Sequence, residues 1–270
     1  MYTGTGRLGG YLVLAAAGLC RAEPPATAQP DPEEMVTDRP DFTESASTVP
    51  AGGVQIESGV TFATDNDEGE VRDWTLGEVL VRVGLAESLE LRIGVPNYSS
   101  TRVCDAADGC TTEDGFTDSA LGLKVRLMDQ EDLWPEAAVL GSVGLPTGAS
   151  SKSADGLIPE VKLALGYDFP GPLSLGVNLN ASGPRDADGD HYLEPSASAS
   201  LAIDLGDRWG AYAEYFGFYP VDSPVADTHY LNAGVTFLVS RNVQLDARVG
   251  VGLVEESEDV FAGMGISVRF

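Results

Sequence analysis

The sequence is poor in cysteine, in histidine and in basic side chains. Its 270 residues include 3 cysteines, 2 histidines and 16 lysines and arginines, against 42 aspartates and glutamates. The net charge of −26 argues against nucleic acid as a partner, because phosphate binding needs clustered Lys and Arg. Long hydrophobic runs are missing too, and no stretch after the amino terminus approaches the roughly 18 apolar residues of a membrane-spanning helix. A hydrophobic share of 43% nevertheless excludes a disordered chain.

The amino terminus has the features of a secretory signal peptide, predicted for residues 1–22. Arg7 supplies a short positive region, residues 8–19 form an apolar core that is too short to span, and cleavage is expected after Ala22. Export leaves Cys104 and Cys110 as an even pair in an oxidising compartment, which predicts a disulfide between them. Two free thiols are the alternative.

From Val54 to the end of the chain, apolar and polar residues alternate in about twelve runs. In the last run Met264, Ile266 and Val268 fall on one side of an extended chain, with Ser267 and Arg269 on the other. The number of runs is even, and their connections alternate between short turns and longer loops. We therefore predict an all-β fold, a transmembrane antiparallel up-and-down β-barrel of about 12 strands over residues 54–270. Residues 99–117 are expected to form a long loop.

The alternation alone also fits a soluble β-sandwich, which would bury the apolar face. Three features favour the barrel: the signal peptide, the carboxy-terminal Phe270, and aromatic residues at strand ends. These aromatics are Trp134, Phe169, Trp209 and Phe270 on the short-turn side, and Tyr98, Tyr219 and Tyr230 toward the long loops. The predicted location is the bacterial outer membrane. The expected partners there are its lipid and lipopolysaccharide, and the barrel-assembly machinery through the strand ending in Phe270.

Charged residues of the strands fall on the face opposite the apolar one, which would line the lumen. One predicted arc consists of Arg82, Arg92, Lys124 and Arg126, and an opposed arc of Glu136, Glu160, Glu194 and Glu214. Such arcs place a transverse field across a solute path. We therefore expect a channel for passive passage of small solutes. A structural barrel whose inward charges pair and close the lumen is the alternative. Tyr212 and Phe216 are the only obvious inward aromatics.

Residues 23–53 precede the barrel and lack a clear period. We predict a linker followed by a plug, because Asp38, Asp41 and Glu44 offer negative charge to the positive arc and Arg39 lies among them. The segment is tethered beside the first strand, so its effective concentration in the lumen is high. A flexible periplasmic tail is the alternative.

Two stretches carry a family resemblance: residues 37–44, which read TDRPDFTE, and residues 49–57, which read VPAGGVQIE. With them the chain, from Thr37 to Phe270, resembles the bacterial outer-membrane transporter family described as meta-pathway phenol-degradation proteins. The resemblance implies a passage for aromatic or other small hydrophobic compounds.

Enzymatic and metal chemistry find little support. Outer-membrane phospholipases are also twelve-stranded barrels and use an exterior Ser–His pair, and His191 and His229 are predicted on the exterior. However, no outward serine is visible on the neighbouring strand that begins at Trp209. The acidic run 186–190 is similar to a calcium loop, but its glycine comes too early. We predict no catalytic residue, no cofactor and no metal site. A lipid hydrolase remains the weakest alternative.

Overall fold

The structure is a computed structural model that describes residues 35–66, 69–105, 109–186 and 188–270. The predicted signal peptide and residues 23–34 of the predicted linker lie outside these ranges. None of the described residues belongs to a helix long and apolar enough to cross a membrane.

Antiparallel strands form one sheet that closes on itself, since β1 pairs with both β2 and β14. The strands are β1 (Val54–Asp65), β2 (Glu70–Ala86), β3 (Leu89–Gly94), β4 (Tyr98–Asp105), β5 (Gly109–Phe116), β6 (Ser119–Met128), β7 (Glu136–Leu145), β8 (Ile158–Asp168), β9 (Leu173–Ser182), β10 (Glu194–Asp204), β11 (Trp209–Phe218), β12 (Thr228–Ser240), β13 (Val243–Gly252) and β14 (Val260–Arg269). The fold is a closed β-barrel, and the predicted class is confirmed.

Fourteen strands make twelve wall strands because two of the wall strands are interrupted. β3 and β4 both pair with β2, one above the other, and residues 95–97 separate them. In the same way β5 and β6 follow one another along the wall, separated by residues 117–118. At the level of the first interruption, β2 contains Gly77, whose φ of 102° lies in the left-handed region that glycine favours. The two interruptions and this glycine therefore lie at one height across three neighbouring strands.

The prediction of a long loop over residues 99–117 is wrong. Those residues form the hairpin of β4 and β5, which extends the wall beyond the interruptions. The side chains of β5 are exposed on both faces, so no core imposes an apolar period on its sequence. The predicted disulfide is confirmed: Cys104 and Cys110 lie directly opposite each other in this hairpin, with 4.0 Å between their Cα atoms, and are bonded.

The wall is apolar outside and polar inside, which decides against the soluble sandwich. Three consecutive residues of β6 show the pattern: Leu123 and Val125 are 46% and 39% exposed, whereas Lys124 between them is 0% exposed. A soluble sandwich would bury the leucine and expose the lysine. The exterior of this barrel is the surface that hydrocarbon requires.

Aromatic side chains lie on the exterior at both ends of the wall. At the short-turn end Trp209 packs against Phe237, with 4.6 Å between ring centroids, and at the long-loop end Tyr219 packs against His229 at 5.4 Å. Tyr230 lies at the long-loop end as predicted, but it does not belong to the exterior aromatic belt. It points into the barrel and is buried, because the exposed Leu231 beside it in β12 takes the outward face. In barrels of this kind the short turns face the periplasm.

Candidate functional site

Residues 35–49 run inside the barrel and are called the lumenal segment below. Met35, Asp38, Thr43, Ala46 and Val49 are all buried there. Hydrogen bonds and ion pairs of the segment reach the wall on all sides, at β1 to β3, β6 to β11, β13 and β14. The segment thus crosses the lumen rather than hanging from its rim.

The segment doubles back on itself at Asp38. The Asp38 carboxylate accepts hydrogen bonds from the Ser45 amide at 3.0 Å and from the Ser45 hydroxyl at 2.9 Å. Residues 39–44 therefore form the tip of an inward loop. The two limbs of the loop return to the short-turn end, where Val49 donates its amide to Glu90 at 2.8 Å.

Three wall cations converge on the same carboxylate and form the ionic anchor of the segment. Asp38 lies 2.6 Å from Arg92, 3.2 Å from Lys124 and 3.3 Å from Arg82. Burial alone would raise the pKa of Asp38, but Arg82, Lys124 and Arg92 together hold it well below its ordinary value. Asp38 is thus ionised in the docked segment.

Wall carboxylates share the same cations, and sequence reasoning missed their role. Arg82 donates to Glu57 and to Glu90, both at 2.9 Å, and Arg92 also pairs with Glu90 at 2.9 Å. The alternation of β1 and β3 already places both glutamates on the inward face. Their pairing across strands, however, depends on the register between β1, β2 and β3.

The fourth cation of the predicted arc lies elsewhere. Arg126 pairs with Asp129 at 3.0 Å and donates to the carbonyl oxygen of Glu87 at 3.2 Å, at the short-turn rim. Arg126 is the next inward-facing residue of β6 after Lys124 and lies closer to the short turn, which separates it from the anchor. The structure therefore brings together three of the four predicted cations.

The four predicted acids do not form one arc, because they are spread along the barrel axis. Glu136 begins β7 at the short-turn end, where the Ser47 hydroxyl donates to it at 3.2 Å. Glu214 is buried at mid-height under the tip of the segment. Glu160 and Glu194 lie at the long-loop end, 3.1 Å and 3.4 Å from the hydroxyls of Ser142 and Ser182.

Arg39 ties the tip of the segment to the opposite wall. Its guanidinium pairs with Glu78 of β2 at 2.6 Å and with Asp246 of β13 at 3.4 Å. It lies directly against two glycines, since a Cβ atom would come within 2.2 Å of it at Gly59 and within 2.3 Å at Gly265. The absence of a side chain at Gly59 of β1 and at Gly265 of β14 makes room for the arginine.

On the far side of the lumen, the segment is held through its backbone. Asn178 donates to the carbonyl oxygen of Glu44 at 2.9 Å and accepts from the Glu44 amide at 2.7 Å. The Glu44 side chain pairs with Lys162 and Arg92, both at 2.8 Å. Burial raises the pKa of Glu44, but Arg92 and Lys162 outweigh it and lower the pKa to about 2.

The long-loop end of the lumen contains more aromatic rings than predicted. Besides Phe216, the inward rings include Phe218, Tyr230 and Phe261, and Phe42 of the segment packs among them. The alternation of inward and outward residues along β12 and β14 is enough to place Tyr230 and Phe261 on the inward face. The sequence does not reveal that these rings meet.

The chain is similar to one protein family in sequence and to several outer-membrane barrels in structure. The sequence model of one family, described as "Putative MetA-pathway of phenol degradation", matches residues 37–270. Among solved structures, an outer membrane channel from Pseudomonas putida F1 is similar, with a TM-score of 0.61 at 12% identity over 83% of this chain and 98% of that one. The NanC porin gives a TM-score of 0.52 at 8% identity over 80% and 100% of the two chains.

A third similar structure is the transport unit of the autotransporter AIDA-I from Escherichia coli, with a TM-score of 0.52 at 8% identity over 81% and 90% of the two chains. No curated protein sequence matches the chain. At these identities the structural likeness shows a common fold, that of outer-membrane barrels.

Proposed function

The chain belongs to the phenol-degradation family whose sequence model it matches, and we propose that it is an outer-membrane channel for passive passage of small solutes. In the docked conformation the lumenal segment closes the path, and its departure opens it. One observation carries the proposal: the segment is bound to the wall on all sides of the lumen. The name of the Pseudomonas putida channel and the porin name of a second similar structure support it.

The wall is suited to losing the segment, which favours a channel over a permanently closed barrel. Arg82 keeps Glu57 and Glu90 as partners when Asp38 leaves, since both belong to the wall. Lys124 would be hydrated in the emptied lumen. A buried charge left without partner or water would cost several kcal/mol, and this arrangement avoids that cost.

Small wall residues leave the space that the segment fills. Ser196, Ser198 and Ser200 line β10 on the inside and are buried. On β9 the segment comes so close that a Cβ atom at Gly176 would lie 3.0 Å from the Thr43 methyl group. Removal of the segment would therefore leave a bore lined by small polar groups.

The family description supports aromatic or other small hydrophobic compounds as solutes. The proposal includes no catalytic step. The outward His229 is engaged by the hydroxyl of Tyr215 at 2.7 Å, so a serine nucleophile has no place beside that nitrogen. Lipid and the assembly machinery, through the strand ending in Phe270, are proposed as partners.

Two variants test the proposal in planar bilayers. Deletion of residues 37–47 should raise single-channel conductance several-fold over the unmodified protein. The matched control locks the segment in place with cysteines at positions 43 and 198, because the Thr43 and Ser198 hydroxyl oxygens are 2.7 Å apart.

The oxidised Thr43→Cys/Ser198→Cys protein should stay closed, and dithiothreitol should restore the currents of the unmodified protein. The unmodified protein with dithiothreitol controls for reduction of the Cys104–Cys110 bond. A deletion variant that folds, as judged by heat-modifiable gel migration, but carries no current would end the channel proposal in favour of a structural barrel.

A further inference from the structure

Phe42 occupies a preformed place in the wall, called the aromatic slot, which is made by Phe216, Phe218 and Lys162. The Phe42 ring is stacked on Phe216, with centroids 4.7 Å apart and planes inclined by 16°. The Phe218 ring meets it edge-on at 5.3 Å and 75°. The Lys162 ammonium lies 5.7 Å from the ring centroid. Stacking, edge contact and a cation are the interactions that an aromatic ring prefers.

The slot does not depend on Phe42 for its shape. Behind the Phe216 ring, Tyr230 is stacked at 4.7 Å and 19°, and Phe261 packs against Tyr230 at 6.0 Å. The guanidinium of Arg248 lies 5.5 Å from the centroid of Phe261. These groups belong to four different strands of a closed barrel, so the face that receives Phe42 persists when the segment leaves.

A buried acceptor lies beside the ring. The Glu214 carboxylate accepts hydrogen bonds from the Phe42 amide at 2.9 Å and from the Thr43 amide and hydroxyl at 2.6 Å each. Its wall donor is Asn232 at 3.0 Å. When the segment leaves, this carboxylate loses three donors, and a solute that carries a hydrogen-bond donor can take the place of one of them.

We propose that the aromatic slot binds a monocyclic aromatic solute that carries a hydrogen-bond donor, of the kind represented by phenol, in place of Phe42. The solute ring stacks on Phe216 and its hydroxyl donates to Glu214. Phe42 is thus a built-in competitor for the solute. This inference rests on the proposed function, because it assumes that the docked segment closes the channel.

Competition makes the solute an opener of the channel. A ligand shifts a conformational equilibrium only by the difference between its affinities for the two states. In the closed state Phe42 fills the slot, so the solute binds the state in which the tip of the segment has left. Solute above its dissociation constant therefore raises the ratio of open to closed channels in proportion to its concentration.

The first test measures currents of the full-length protein in planar bilayers with phenol, cyclohexanol or toluene added. Phenol offers both the π face and the donor, cyclohexanol only the donor, and toluene only the π face. Phenol should raise the open fraction. Cyclohexanol and toluene should each be about threefold to tenfold less effective, because each lacks one of the two contacts, the stacking of the ring or the hydrogen bond. Equal responses to all three, or no response to phenol, would overturn the inference.

The second test separates a competitor from a component of the site. Binding of 4-fluorophenol is followed by fluorine NMR on the purified protein in detergent. Phe42→Ala should bind it about threefold to tenfold more tightly than the unmodified protein, because the competing ring is gone. In the same variant phenol should raise the current less than in the unmodified protein, since it then displaces no ring and competes only with the segment's donors to Glu214.

Two further variants complete the design. Phe216→Ala should lose binding, whereas Phe62→Ala removes an exterior ring that packs on Trp74 and should bind as the unmodified protein does. Weaker binding to Phe42→Ala than to the unmodified protein would show Phe42 to be part of the site and refute the competition. If the deletion of residues 37–47 conducts while phenol fails to open the full chain, the inference falls and the channel proposal stands. A silent deletion variant removes both.

Discussion

Asp38 and Phe42 are four residues apart on the lumenal segment, and the wall holds them by different forces. Asp38 is fixed by three buried cations, which no neutral solute can replace. Phe42 is fixed by ring contacts that a neutral aromatic molecule can reproduce. The segment therefore combines an anchor that responds to charge with a tip that responds to small molecules. Each of the following changes breaks or sharpens this contrast.

The largest effect is expected from Asp38→Asn. The substitution leaves Arg82, Arg92 and Lys124 without their shared carboxylate, and breaking a buried ion pair costs about 3–5 kcal/mol. The segment should undock, and single-channel recordings should show a mostly open channel.

Asp41→Asn is the matched control for this change. Burial first, and the neighbouring Glu214 second, raise the pKa of Asp41 well above its ordinary value, so the neutral form is the one favoured in the docked segment. This variant should stay closed at neutral pH. Equal opening by the two substitutions would show that charge at position 38 is not what holds the segment.

A smaller effect is expected from Gly59→Ala. The added methyl group would occupy the position of the Arg39 guanidinium and displace it from Glu78 and Asp246, whose hydrogen bonds to a charged group are worth about 1–3 kcal/mol. The open fraction should rise while heat-modifiable migration stays unchanged.

The control for this substitution is Gly141→Ala in β7, where an added Cβ would meet nothing within 4 Å. Its currents should equal those of the unmodified protein. Opening by both alanines would point to a general weakening of the wall rather than to the loss of the Arg39 contacts.

The pH dependence of the current is expected to show a still smaller shift with a definite sign. The raised pKa of Asp41 means that its contribution to docking is present at low pH and lost as pH rises through that pKa. Glu44 acts in the opposite sense, and its contribution is lost only as pH falls through about 2. The open fraction should therefore rise from mildly acidic to alkaline pH in bilayer recordings. Asp41→Asn should flatten the rise, and an unaltered rise in that variant would assign it to another group.

The smallest effect on the channel is expected from Cys104→Ser/Cys110→Ser. The disulfide joins β4 to β5, whose side chains are exposed on both faces, and it closes a small ring worth no more than about 2–3 kcal/mol on the chain-entropy estimate. Currents and phenol response should stay those of the unmodified protein, while proteolysis of the hairpin becomes faster. Altered gating would mean that the hairpin communicates with the lumen.

Alternation predicts the wall because the two solvents of a barrel act on every strand. Lys124 can be assigned to the interior and Leu123 to the exterior from sequence alone, since lipid and lumen impose opposite demands on neighbouring residues. The same rule fails for β5, whose side chains are exposed on both faces. It also fails for the lumenal segment, whose residues contact wall on all sides and so have no face to alternate.

The interior contacts required the register. Parity places Glu57, Glu90 and Phe261 on the inward face, but whether an inward glutamate meets an inward arginine depends on the stagger of strands along the axis. The predicted acidic arc fails for this reason: Glu136 and Glu194 face inward on separate strands, at opposite ends of the barrel.

The contacts of Arg39 have a consequence for the order of assembly. Its partners come from both ends of the chain, since Glu78 is 39 residues away and Asp246 is 207 residues away. The glycines beside it belong to β1 and β14, the pair that closes the barrel. The first part of the described chain to be synthesised is therefore among the last to be fixed. Until β14 has paired with β1, Arg39 lacks its contacts with β13 and β14. Up to that point the growing barrel is open.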